Sequence, residues 1–460
     1  MHRWTLTLLL SVSAAAAAWL APTALGTTNS RGGAPVPPRP MTPPIADLGA
    51  GGVDAVDGPL ELAVALDQEA IHAAGTARRF LIATITAPAE TRGERLPVDL
   101  ALVMDTSGSM AARGKMTEAR RAAAALVSAM GPSDAFSLVT FDDRAQVVRS
   151  LGRDPRYVLL DAIEGLTPDG GTNLSDGLLA GFNQARGGSG SVRKVILMTD
   201  GQANQGITAP AQLEALARDP SISVSTVGVG LDFNESLLAS MADAGRGRYR
   251  YVDATTDLAL AYAEELESAA HLVALGTQVE FQFADGVVPL RVLQWSADVR
   301  GDRAVVPVGD LAAGQSRTVV VEVDVTAMGA ARQDLATVTL RGAAVRDEAA
   351  FREVASVSAA VVPVGTDLSP YVQREAMTVS TRAVAGWSAM QANQAYQQGD
   401  ADRGRGLLRA AAGYLETQKR DYGLAIPEAD VENLNALGYL SDGEAQKSSY
   451  SAGRSMGRSE

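Results

Sequence analysis

The sequence predicts an α/β protein in which a doubly wound, mostly parallel sheet is inserted in, or flanked by, an antiparallel β-sandwich, with a helical hairpin towards the C-terminus. Three observations carry that prediction. Between residue 98 and about 269, apolar strand-like runs alternate with stretches of helical periodicity. On either side, short runs alternate apolar and polar residues with period two and are broken by Gly and Asp turns. Beyond about residue 365 the periodicity becomes helical again.

Composition narrows the function classes. With 460 residues, 46% hydrophobic and 20% charged, the chain has the make-up of a globular protein with room for two or three domains. A net charge of −13 leaves no basic surplus for neutralising phosphates, so no nucleic acid partner is expected. No nucleotide is expected either: there is no GxxxxGK[ST] loop, and the glycines of AGRGRY follow a helix-like run and precede a strand-like one. The chain has no cysteine, which excludes disulfides, thiolate metal sites and thiol catalysis.

In chain order, residues 1–26 join a short basic start (His2, Arg3) to an apolar stretch and then small residues, the pattern of an export signal. A retained anchor is the alternative, and no other segment is apolar enough to span a bilayer. The expected location is therefore the periplasm, the cell surface or the medium of a bacterial cell. Residues 27–57, with APVPPRPMTPP, form an extended linker. Residues 58–96 supply the first sandwich strands, LELAVALD and ARRFLIATITAP.

Residues 97–270 form the α/β unit, with strands expected at 98–104, 135–141, 194–198, 222–230 and 248–252. Helices are expected at 116–130, 174–184, 235–244 and 257–270, the second and third opened by Asn173 and Asn234. Residues 271–365 return to sandwich strands, and 366–440 are helical with Gly399–Asp400 between two helices. Residues 441–460, ending in SSYSAGRSMGRSE, read as a disordered tail.

The chemistry gathers where strands end. The run VDLALVM stops at Asp105, and Ser107 and Ser109 follow at two-residue spacing in a turn-prone segment. GGTNLSDG places Thr172 at the start of a helix, and KVILMTDGQAN is a second buried strand ending in Asp200. These five side chains offer only oxygen, with two formal charges among them. That donor set suits a hard divalent cation, Mg²⁺ or alternatively Mn²⁺ or Ca²⁺, and not zinc or copper.

Asp-x-Ser-x-Ser followed by a Thr and then an Asp resembles the metal-ion-dependent adhesion site of the von Willebrand factor A domain, a Rossmann-like fold, and the likeness covers 98 to about 269. The resemblance implies that Ser107, Ser109 and Thr172 bind the metal directly and that Asp105 and Asp200 act directly or through water. It also implies that an Asp or Glu carboxylate of a protein partner fills the open position. The wider arrangement is similar to bacterial exported proteins distantly related to inter-alpha-trypsin inhibitor heavy chains, which implies extracellular interaction work. A scaffolding role in an envelope complex, with the metal serving stability alone, is the competing expectation.

The remaining polar features read as structural. Asp142, Asp143 and Asn204 are expected in turns, and Arg300-Gly301-Asp302 in a strand-to-strand turn. His72 and His271 stand apart from any triad, and no acid–base pair accompanies the serines, so no catalytic residue is expected. Arg403, Arg405, Arg409, Arg454 and Arg458 read as a solvated helix face and a soluble tail.

Overall fold

The computed structural model describes residues 58–89, 93–252, 256–440 and 442–458; the expected export signal and linker lie outside them. Strands β1 (Glu61–Leu66), β2 (Ala70–His72) and β3 (Thr76–Thr86) come first. The α/β unit then runs β4 (Val98–Asp105), α1 (Lys115–Ala129), β5 (Ala135–Phe141), β6 (Ala145–Gly152), α2 (Arg156–Glu164), α3 (Leu174–Arg186) and β7 (Val192–Thr199). It continues with α4 (Pro210–Leu216), β8 (Ser223–Val229), α5 (Glu235–Ala244), β9 (Arg246–Val252) and α6 (Thr256–Ala270). Seven strands follow: β10 (Leu272–Phe283), β11 (Val287–Leu293), β12 (Asp298–Arg300), β13 (Arg303–Ala312), β14 (Ser316–Thr326), β15 (Arg332–Ala344) and β16 (Ala350–Val362). Helices α7 (Arg374–Gln397), α8 (Ala401–Tyr422), α9 (Glu428–Leu437) and α10 (Asp442–Arg458) close the chain.

The α/β unit is inserted in the sandwich, and strand pairing shows it directly. Strand β3, which precedes the unit, pairs antiparallel with β14, which follows it, from Thr76 opposite Thr326 to Thr86 opposite Ser316. One sandwich sheet has the order β1-β3-β14-β11 and the other β12-β13-β10-β15-β16-β2. Their facing apolar side chains, among them Ile85, Phe281, Val321 and Leu340, form a single core. Arg300, Gly301 and Asp302 sit at the turn between β12 and β13, where Gly301 takes a φ of 60° that few other residues tolerate.

Within the α/β unit the sheet order is β6-β5-β4-β7-β8-β9, all parallel except the edge strand β6. Strands β4 and β5 are buried along their whole length, and their sequences are accordingly mostly apolar, with Asp99 and Asp105 in β4 and Ser137 and Thr140 in β5 as the polar members. Helices α1, α2 and α6 cover one face and α3, α4 and α5 the other. The sequence does not single out β6, α2 or α4. The edge strand mixes exposed and half-buried residues with Arg149 in its middle, and α4 has only seven residues, so neither leaves a clear period. Strand order reverses between β4 and β7, the switch point at which open α/β sheets bind ligands.

The expected helical hairpin is α7 and α8, with Asp400 accepting a hydrogen bond from the Arg403 N–H at the start of α8. The expected disordered tail is corrected: among the described residues, 442–458 form α10, which packs along α7. Gly386 and Gly453 let the two helix backbones meet, because a Cβ on either would strike the other's carbonyl oxygen. Arg454 and Arg458, expected in solvent, are buried. Both form two hydrogen bonds to Asp243 in α5, with distances between 2.9 and 3.2 Å. Arg458 also lies 3.8 Å from the Trp295 ring centroid and donates to the Gln294 carbonyl. Small polar residues misled the sequence reading, because the apolar stripe of this helix is thin, Ala445, Ala452 and Met456 against α7, and much of its remaining buried surface carries ion pairs. No helix among the described residues is long and apolar enough to cross a membrane.

Candidate metal centre

All five residues expected at the site come together on the loops after β4 and β7 and at the start of α3. Asp105 ends β4 fully buried, with the Ser107 N–H donating to its Oδ1 at 2.8 Å and the Thr199 hydroxyl to its Oδ2 at 2.5 Å. Burial pushes its carboxyl up to about 6, against the pull of Ser107 and Thr199. A nearby divalent cation would favour the ionised form.

The hydroxyls form a directed chain. Ser109 Oγ donates to Asp200 Oδ1 at 2.7 Å, and Ser107 Oγ lies 3.0 Å from Ser109 Oγ. With the Ser109 proton committed to Asp200, Ser107 is the donor of that second bond. Thr172 and Ser109 both face Gly201: a Cβ placed there would lie 3.5 Å from Thr172 Oγ1 and 3.8 Å from Ser109 Oγ. The glycine therefore leaves open the space that the hydroxyls border.

These oxygens fit an octahedral cation. Neighbouring ligands around Mg²⁺, each about 2.0–2.1 Å from the ion, stand about 2.9 Å apart, and the Ser107–Ser109 and Ser109–Asp200 separations of 3.0 and 2.7 Å bracket that spacing. Ser107, Ser109 and Thr172 would supply neutral hydroxyl ligands, leaving a bound ion short of negative charge and receptive to an external carboxylate.

Two residues expected in simple turns do more. Asn204 accepts a hydrogen bond from the Thr172 N–H at 2.9 Å and donates its own N–H to the Thr172 carbonyl at 3.1 Å. Asp143 accepts from the Gly171 N–H at 2.8 Å and from the Gln205 side chain. Together they lock the Thr172 loop to the loops after β5 and β7. Asp142 keeps the turn role, accepting from the Arg144 N–H.

The sequence reading missed Lys115. Its ammonium donates to Asp200 Oδ2 at 2.5 Å, with the lysine side chain 10% exposed and the aspartate fully buried. Asp232, on the loop after β8, lies 3.9 Å from the same nitrogen. One signal was available. Lys115 is the first residue of α1, where a positive charge opposes the helix dipole, so a compensating carboxylate was to be sought.

An open α/β sheet whose switch-point loops gather a cluster of hydroxyl and carboxylate side chains defines a class of protein. Residues 99–265 match the family model described as the von Willebrand factor type A domain, and this part of the chain is such a domain. The chain is 32% identical over 191 residues to sll0103 from Synechocystis, covering 41% of this chain and 45% of that protein. It is 28% identical over 202 residues to YfbK from Escherichia coli, covering 42% and 35%. It is 27% identical over 212 residues to human inter-alpha-trypsin inhibitor heavy chain H4, covering 42% and 22%. The matches thus span less than half the length of each of these relatives.

Two solved structures share the architecture well beyond the α/β unit. A von Willebrand factor type A protein from Catenulispora acidiphila superposes with a TM-score of 0.66 at 19% identity, over 87% of this chain and 98% of that one. The ArnB paralog VWA2 from Sulfolobus acidocaldarius gives 0.61 at 14%, over 87% and 99%. At these identities the likeness is one of fold.

Proposed function

We propose that this protein is an exported, non-enzymatic binding protein whose von Willebrand factor A domain holds Mg²⁺, or Mn²⁺ or Ca²⁺, and uses it to capture an Asp or Glu side chain of a protein partner. The observation that carries the reading is the geometry of Ser107, Ser109 and Asp200, whose oxygens stand 2.7 and 3.0 Å apart at the switch point of the sheet. Thr172 and Asp105 complete the donor set, with Asp105 acting through its hydrogen bonds to the Ser107 loop and Thr199. The carboxylate that accepts from Ser109 is Asp200, itself part of the donor set for the metal and paired with Lys115, which favours binding over hydrolysis. The heavy-chain relatives support an extracellular role, and residues 1–26 support export.

Affinity capture from an envelope fraction tests the reading. Wild-type chain with Mg²⁺ is expected to retain an acidic-surfaced partner that is lost with EDTA and with Asp105→Ala, while circular dichroism shows both samples folded. Retention of the same partner under either treatment would overturn the bridging role. A melting temperature that falls with EDTA while the partner stays bound would instead support the scaffolding reading.

A further inference from the structure

The Asp200 carboxylate has two faces with different occupants. Its Oδ1 joins the hydroxyl chain of Ser109 and Ser107, while its Oδ2 is held by Lys115 at 2.5 Å. We propose that Lys115 is a built-in competitor for the cation, whose ammonium withholds one oxygen of Asp200 so that the site binds a divalent ion weakly until a partner's carboxylate joins it. This inference rests on the metal-bridging reading of the site and adds what regulates its affinity and selectivity.

Charge gives the first reason. Asp105 and Asp200 bring two negative charges and Lys115 one positive, so the buried site is left with a single net negative charge for a dication. A unit positive charge a few ångströms from the ion opposes binding even at high effective dielectric, by about tenfold or more. A partner's Asp or Glu restores the missing charge, which makes binding of the ion and of the partner mutually reinforcing.

Coordination gives the second reason. With Oδ2 engaged by the ammonium, Asp200 offers a single oxygen. Mg²⁺ and Mn²⁺ accept six single-oxygen ligands, whereas Ca²⁺ favours six to eight and commonly takes a carboxylate through both oxygens. Lys115 therefore discriminates against Ca²⁺. The chain also provides the ammonium with an alternative partner: Asp232, 77% exposed, stands 3.9 Å away. Gly230 leaves room for the lysine stem, since a Cβ there would come within 3.3 Å of Lys115 Cε. An ion that claims Asp200 more fully can thus displace the ammonium towards Asp232 without burying it unpaired.

The test is isothermal titration of Mg²⁺, Mn²⁺ and Ca²⁺ into the metal-stripped full chain of wild type, Lys115→Met, Lys115→Gln, Lys115→Arg and Asp105→Ala. Lys115→Met is expected to tighten Mg²⁺ and Mn²⁺ about tenfold and Ca²⁺ by more, narrowing the preference against Ca²⁺. Lys115→Gln, which keeps a donor but no charge, is expected to follow the Met variant and covers the case in which Met disturbs packing. Lys115→Arg is expected to stay near wild type. If wild type binds the ions, Asp105→Ala does not, and the Met and Gln variants bind no tighter than wild type, the competitor role is overturned while the metal site stands. If neither wild type nor the neutral variants bind any of the ions, the metal reading itself fails and the competitor role falls with it.

Discussion

Strand β7 has an ion pair at each end, and the two ends are balanced differently. At its start, Lys194 lies 2.8 Å from Glu265, which Arg248 also approaches at 2.8 Å. Burial alone would raise that carboxyl, but Arg248 and Lys194 outweigh it and hold it well below the usual carboxylate range. Just past the other end, Asp200 is paired with Lys115 while neighbouring Asp105 has no cationic partner among its hydrogen bonds, and burial leaves Asp105 pushed up to about 6. Asp243 resembles the first case, gripped by Arg454 and Arg458. Carboxylates with a surplus of cations are structural fasteners. In the proposed reading, the deficit at Asp105 and Asp200 is filled by an external cation.

The largest expected effect breaks the fastener end. Glu265→Gln leaves Lys194 and Arg248 buried without their anion, and is expected to cost about 3–5 kcal/mol in denaturant unfolding, while cation titration of the folded fraction stays at the wild-type affinity. Acidification comes next. Burial would raise the Asp243 carboxyl, but Arg454 and Arg458 hold it below its ordinary value near 3.8. Its stabilisation is therefore complete above about pH 4 and lost as pH falls below that, by about 2 kcal/mol. Hydrogen exchange is expected to show α10 losing protection first, and Asp243→Asn to abolish that pH dependence.

At the deficit end, Thr172→Val keeps the shape and removes one hydroxyl. It is expected to weaken Mn²⁺ binding about tenfold, near 1.4 kcal/mol, with no change in the melting temperature. The smallest effect concerns Asp67, whose carboxyl burial pushes up to about 6, against the Phe80 N–H and Arg79. A raised carboxyl destabilises the fold when ionised, so lowering the pH from 7 to 5 is expected to stabilise wild type by about 1 kcal/mol relative to Asp67→Asn. Equal pH profiles for the two chains would remove Asp67 from the account.

The contrast also separates what the sequence makes legible from what it hides. Asp105, Ser107, Ser109, Thr172 and Asp200 were readable because each follows an apolar strand run or opens a periodic helix, so position and chemistry point the same way. The insertion was readable because β-type alternation stands on both sides of the α/β unit. Asn204 and Asp143 were not, since a residue that braces a neighbouring loop has the same local sequence as one that shapes its own turn.

Helix α10 escaped for another reason. Lys447, Tyr450, Arg454 and Arg458 fall on one helical face at spacings of three or four residues, but that face is charged and its partners Glu235 and Asp243 lie about 200 residues away. Hydrophobic periodicity does not register such a face.

The most direct test of the cation deficit at Asp200 is titration of Mn²⁺ into the metal-stripped chain, followed by electron paramagnetic resonance, for wild type and Asp200→Asn. One bound ion per wild-type chain and none in the variant is expected, with both proteins folded. A wild-type chain that leaves all Mn²⁺ free, or a variant that binds it as well as wild type, would contradict it.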